Sequence, residues 1–189
     1  MKKLLTLIAF ILSLSAFAQC PDAGNNMGIL DSINNTLKNR PVNVDPNKAK
    51  FVSIDSILKD GKDGDRFSNN MFVYTEGYVI LVKNGGAESC NCDSTNAIYH
   101  DIHIELAKTP NAAKGEVMIV EVTPKLKNAE GLTAKSLKTL VGQKVRIYGY
   151  FFFDSEHKQN AANTCHQCTN VLRWTCWEIH PVVKIVVIK

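Results

Sequence analysis

Five segments with the length and patterning of β-strands follow one another through the last two-thirds of the chain. The clearest is residues 101–106, Asp-Ile-His-Ile-Glu-Leu, where polar and apolar side chains alternate without exception. A period of two is typical of a strand with one face in a hydrophobic core and the other outside it. The five predicted strands span residues 73–82, 101–106, 117–123, 144–153 and 175–188. The pattern therefore predicts a mainly β protein.

One helix is predicted between the third and fourth strands, over residues 133–141, and Gly142 is a typical helix stop. The order strand, strand, strand, helix, strand, strand, with a long first strand interrupted at Gly77, resembles the OB-fold. Residues 140–149 resemble the part of that fold that leads into its fourth strand. The resemblance implies a five-stranded OB-like barrel. It implies no particular activity, because one fold can carry many functions.

The barrel domain is predicted to span residues 71–189, after an N-terminal lead-in over residues 19–70. In the lead-in, Leu30, Ile33 and Leu37 recur at helical spacing, which predicts a short helix over residues 27–38. A second short helical piece is predicted at residues 53–59. We expect this lead-in to pack on the barrel and not to form a domain of its own.

Residues 1–18 have the features of a signal peptide. Lys2 and Lys3 precede an apolar run, and Ala16-Phe17-Ala18 matches a cleavage site, so the mature chain would begin at Gln19 in the periplasm or outside the cell. The run is too short for a permanent transmembrane helix, and no later segment is more suitable. Gln19 stands where a lipid-attachment pattern needs a small residue, which argues against a lipid anchor on Cys20. The stretch Trp-Glu-Ile-His-Pro-Val at residues 177–182 is similar to one found in uncharacterised exported bacterial proteins.

The net charge gives little indication of a partner. The formal charge is +4 for the whole chain, and removing Lys2 and Lys3 leaves +2. This small excess, without aromatic residues among the basic ones, argues against nucleic-acid binding.

The cysteines occur mainly in two predicted loops. Cys90 and Cys92 lie between the first two strands, and Cys165 and Cys168 lie between the last two. Because both loops flank the same face of an OB barrel, we expect the two pairs to meet. Four cysteines could hold zinc, but an oxidising compartment favours disulfides. The connectivity, including the partners of Cys20 and Cys176, stays open because six cysteines allow many pairings.

A polar patch is predicted on the outer face of the barrel. Alternation places His103 on the outside of the second strand, Glu121 on the third, and Glu178 and His180 on the fifth. If the strand register brings them together, these residues form one patch, in which Glu121 could bridge the two histidines because its strand lies between theirs in an OB barrel. Arg173, beside Trp174, is a further candidate for gripping an anionic or sugar ligand.

Three functions remain compatible with these residues. The first is an exported binding module with an OB-like ligand face, whose ligand the sequence does not identify. The second is a metal-dependent hydrolase, a nuclease included, in which the histidines and glutamates hold an ion that activates water. The third is a structural domain of a larger envelope assembly. None of the motifs assigns a reaction.

Overall fold

The barrel is closed and contains five strands. The computed structural model describes residues 20–25 and 28–188, so the predicted signal peptide lies outside the described residues. The strands are β1 (Phe72–Asn84), β2 (Ile102–Ala107), β3 (Met118–Val122), β4 (Lys144–Phe153) and β5 (Trp177–Val187). Their order is β1-β2-β3-β5-β4, and β4 pairs back onto β1 to close the barrel. Only β3 and β5 run parallel among these pairs. The fold class predicted from the order of the elements is confirmed.

The first strand is long enough to serve two neighbours. Its first half pairs with β4 and its second half with β2, and the two pairings meet at Tyr78. The irregularity predicted at Gly77 lies slightly further along, where the register shifts between Val79 and Leu81. A two-residue strand, Lys50–Phe51, adds in parallel to the start of β1. The bend lets one strand form part of both sides of the barrel.

Four α-helices accompany the strands within the described residues: α1 (Ile29–Lys38), α2 (Ile54–Ile57), α3 (Pro124–Glu130) and α4 (Ala134–Lys138). The predicted helix between β3 and β4 is α4, where Thr133 accepts a hydrogen bond from the backbone of Ser136. Gly142 follows with a φ of 81°, a conformation that suits glycine. The sequence did not predict α3, which begins at Pro124, directly after the third predicted strand. Proline also suits the first turn of a helix, where its missing N–H leaves no bond unmade.

The apolar core fills the barrel interior. Ile102, Ile104 and Leu106 of β2 are all buried there, as the alternation predicts. Trp177 of β5 lies in the same core, and its indole N–H donates to the backbone oxygen of Asp63 at 2.6 Å. Fully burying one aliphatic side chain, such as that of Ile104, stabilises the fold by roughly 1.5–3 kcal/mol. The interior is therefore a conventional hydrophobic core.

The lead-in packs on the barrel with the polar side of its helix. Asn35 and Lys38 of α1 are buried, whereas Leu30 and Ile33 are exposed. Lys38 reaches Glu88 in the β1–β2 loop at 3.0 Å. The apolar spacing predicts this helix but does not identify the face that contacts the barrel. Polar contacts decide that face.

Two further connections hold the lead-in in place. Arg40 donates hydrogen bonds to the backbone oxygens of Phe151 and His180, at 3.0 and 2.9 Å. A disulfide joins Cys20 to Cys92. Among the four described helices, none combines the length and the apolar composition that crossing a membrane requires.

Candidate functional site

A cluster of charged side chains lies on the outer face of β2, β3 and β5, under the lead-in. His103 of β2 stands directly opposite Glu121 of β3. Val120 pairs in parallel with Ile179, which brings Glu121 beside His180. The strand register thus unites residues that are far apart in the sequence. We call the whole set the charged cluster: Lys38, Glu88, Asp101, His103, Glu121, Asp154, Arg173, Glu178 and His180.

One part of the cluster, consisting of Asp101, Glu121 and His180, is closed to solvent, and we call it the sealed half. His180 has no exposed side-chain area, and its two ring nitrogens face two different carboxylates. Nε2 lies 3.2 Å from Asp101, and Nδ1 lies 3.2 Å from Glu121. Burial alone would lower the pKa of His180, but the carboxylates of Glu121, Asp101 and Glu178 outweigh it and raise the pKa to about 10. His180 is therefore a buried imidazolium at neutral pH.

The other part, the open half, consists of Glu88, His103 and Glu121. His103 Nε2 lies 3.3 Å from Glu121 Oε1 and 3.8 Å from Glu88 Oε1, and 17% of the His103 side chain is exposed. A Cβ at Gly85 would lie only 2.7 Å from His103 Nε2, so a larger residue there would require the imidazole to shift. Burial alone would lower the pKa of His103, but Glu121 and Glu88 raise it. This histidine has both a charged environment and access to solvent.

Glu121 belongs to both halves and is almost completely buried. Burial raises the pKa of its carboxyl group, against the effect of the two neighbouring histidines. It bridges His103 and His180, with one oxygen near each. The electrostatic environment of either histidine therefore depends on Glu121.

The charged cluster contains an unusual share of unpaired polar atoms. Among the described residues, eight buried side-chain polar atoms have no hydrogen-bond partner, and five of them lie in this cluster. These five are Asp101 Oδ2, His103 Nε2, Glu121 Oε2, His180 Nδ1 and His180 Nε2. Buried polar atoms in native proteins nearly always have a partner. The cluster holds its charges at ion-pair distance without aligned hydrogen bonds.

Arg173 joins the cluster to the end of β4. Its Nη1 donates to Asp154 at 3.1 Å and also to Glu178. Asp154 in turn accepts from His157 Nδ1 at 2.5 Å. The arginine that the sequence offered as a ligand contact is thus buried and already paired with two carboxylates.

A cleft of about 260 Å³ lies beside the open half. Four basic side chains contribute to its wall, those of Lys83, His103, His157 and Arg173. Glu105, which pairs with Lys83 at 3.4 Å, is the acidic residue among the lining residues. The cleft therefore presents mainly cationic groups to a ligand.

The cysteines pair differently from the predicted arrangement of the two loops. Cys20 bonds to Cys92 and Cys165 to Cys168, while Cys90 and Cys176 are free, buried thiols. Disulfides form, but they do not join the two loops to each other. Neither of the two metal-compatible groups of side chains in the described residues contains a cysteine. The sulfur of Cys20 that a lipid would occupy is bonded to Cys92.

The predicted patch exists, but its environment differs from the expectation. His103, Glu121, Glu178 and His180 share the outer face, as predicted, yet that face is mostly buried and not solvated. The reason is that α1 and the β1–β2 loop cover it. Alternation placed Asp101 on this face without assigning it to the patch. Lys38 and Glu88 were missed because neither lies in a periodic strand segment.

Comparison with known proteins leaves the family undefined. No protein-family model matches the chain, and no curated protein is significantly similar to it. The barrel's architecture and the geometry of the charged cluster are therefore the observations that bear on function.

Proposed function

We propose that the protein is an exported binding module with an OB-like barrel, and that the cleft beside His103 takes a small anionic ligand. A carboxylate or phosphate group is the chemical class that suits this wall. The observation that carries the proposal is the convergence of four basic side chains on one cleft of about 260 Å³. A cavity of this size suits a small metabolite better than a polymer.

Arg173 supports an anionic ligand because it is held rigidly. Both hydrogen bonds that its side chain makes within the described residues use Nη1. A guanidinium carries five N–H donors, and an arginine positioned by carboxylates behind it can offer the others to an anion. Lys83 is half-exposed at the opposite part of the wall and adds a mobile charge.

The exposure of the cluster favours binding over hydrolysis. Of the four residues in the hydrolase hypothesis, the Glu178 side chain is 1% exposed and the His180 side chain 0%. A general base or a metal-bound water must lie within reach of the substrate. Residues sealed under the lead-in are better suited to holding the barrel face together.

Nuclear magnetic resonance of the isotope-labelled mature chain tests the proposal. Titration with inorganic phosphate and with succinate should shift the backbone amide signals of Gly85 and Gly86, and Lys83→Gln should weaken binding about 3-fold or more, as loss of a partly solvated charge contact would. Lys184→Gln, an exposed lysine outside this cleft, is the matched control and should bind normally.

Two outcomes would contradict the cleft assignment: an absence of saturable shifts, or equal shifts with glycerol as a neutral probe. For the export part of the proposal, mass spectrometry of the secreted or periplasmic protein should place the N-terminus at Gln19.

A further inference from the structure

The three side chains of the open half are arranged like the ligands of a metal ion. One ligand atom each from Glu88, His103 and Glu121 lies within 4.8 Å of the others. The distances from His103 Nε2 are 3.3 Å to Glu121 and 3.8 Å to Glu88. A tetrahedral ion with bonds of about 2.1 Å separates its ligands by about 3.4 Å. Small side-chain rotations would bring these atoms to that spacing.

The same side chains lack the partners that burial normally requires. The Glu121 side chain is only 5% exposed, and its Oε1, which faces His103 Nε2 at 3.3 Å, makes no hydrogen bond to it. His103 Nε2, directed at the two glutamates, makes none either. Buried polar atoms without a hydrogen-bond partner are rare in native proteins. A cation between these atoms would satisfy them together.

We infer that Glu88, His103 and Glu121 bind one divalent transition-metal ion beside the cleft that His103 lines. One imidazole nitrogen and two carboxylate oxygens suit Zn²⁺, Co²⁺ or Mn²⁺. They suit Ca²⁺ less well, because Ca²⁺ takes six to eight oxygen ligands. Glu88 can serve as a ligand through Oε1 because Lys38 occupies its other oxygen.

The sealed half does not provide a second site. Asp101, Glu121 and His180 also lie within metal-binding distance of one another. However, both ring nitrogens of His180 face carboxylates, and the side chain has no exposed area. Because His180 is completely buried between Asp101 and Glu121, we expect one ion per chain, in the open half.

The site is tested with the metal alone, so the result does not depend on whether the cleft has an anionic ligand. Chelator-treated mature protein is titrated with Zn²⁺ by calorimetry and with Co²⁺ by visible absorption. We expect one ion per chain, and a cobalt spectrum without a sulfur charge-transfer band. His103→Ala and Glu121→Gln should each weaken binding at least about 10-fold.

Two control variants match the ligand variants in chemistry. Glu105→Gln removes an acid from the same strand as His103 but leaves the three ligands intact. His166→Ala removes an exposed imidazole between Cys165 and Cys168, where adventitious Zn²⁺ could bind. Both controls should bind the ion as the unmodified protein does.

Circular dichroism establishes that each variant is folded, and Glu88→Gln, in the β1–β2 loop, replaces any ligand variant that is not. The inference is overturned if the unmodified protein binds no ion or if the ligand variants keep full affinity. It is also overturned if the control variants lose as much metal affinity as the ligand variants. Loss of binding in Cys90→Ser with full binding in His103→Ala would also overturn it, because the ion would then lie at the buried thiol.

Discussion

The sealed half and the open half of the charged cluster share Glu121 and differ in what surrounds it. In the sealed half, His180 lies between Asp101 and Glu121 with no exposed area. In the open half, His103 lies between Glu88 and Glu121 and reaches the cleft. Two histidines on the strands that flank β3, both beside the same carboxylate, thus occupy different electrostatic environments.

The difference shows that residue type does not by itself identify a functional residue. A histidine whose two nitrogens both face buried carboxylates is held as a cation and stabilises the structure. A histidine with one solvent-accessible side can exchange its proton for a metal ion or contact a ligand. Access to the cleft, more than proximity to carboxylates, separates the two roles. Each variant below tests that separation.

The largest expected effect is the loss of stability in His180→Ala. Removing the imidazolium leaves Asp101, Glu121 and Glu178 buried without their counter-ion, so the free energy of unfolding should fall by about 3–5 kcal/mol. Urea denaturation measures it. His103→Ala, at a partly exposed position, is the comparison and should lose about 1 kcal/mol or less. Equal losses in the two variants would remove the distinction between the halves.

Lys38→Met should have two smaller effects of opposite sign, a loss of stability and a gain in metal affinity. Lys38 contacts Glu88 at 3.0 Å, so its removal should lower the free energy of unfolding of metal-free protein by about 1–3 kcal/mol. The same change removes a positive charge that competes for Glu88, so Zn²⁺ affinity should rise at least about 3-fold. Denaturation and calorimetry on one preparation measure both. A decrease in affinity would mean that Lys38 positions Glu88 and does not compete with the ion.

The smallest expected effect concerns His157, at the edge of the cluster. Its hydrogen bond to Asp154 raises the pKa of His157, against burial and the charge of Arg173, while Glu178 adds to the increase. The folded-state pKa is therefore above the unfolded value of about 6.5. The contribution to stability is complete below that value and is lost as the pH rises through the folded-state pKa.

Because 48% of the His157 side chain is exposed, solvent screening keeps this contribution below about 1 kcal/mol. In His157→Asn, the free energy of unfolding should decrease less steeply as the pH rises from about 6.5 through the folded-state pKa of His157. Denaturation at several pH values makes the measurement. An unchanged slope would assign the pH dependence to other groups.

How well the sequence predicts a structural feature depends on whether local or long-range interactions form that feature. The alternation at residues 101–106 predicted both the strand and its core-facing residues, Ile102, Ile104 and Leu106. In α1 the same kind of reasoning predicted the helix but not its contact face, because Leu30 and Ile33 are exposed. Hydrophobic spacing reports a local conformation, whereas the docking of a helix depends on what the rest of the fold offers.

The sequence alone determined the barrel and the outer face shared by His103, Glu121, Glu178 and His180. Each follows from strand order and from side chains that alternate between two faces. The tertiary structure decided which cysteines pair, that Lys38 and Glu88 join the charged cluster, and which histidine is sealed. Those features depend on where the lead-in and the β1–β2 loop come to lie, and such long-range contacts leave no periodic signal in the chain.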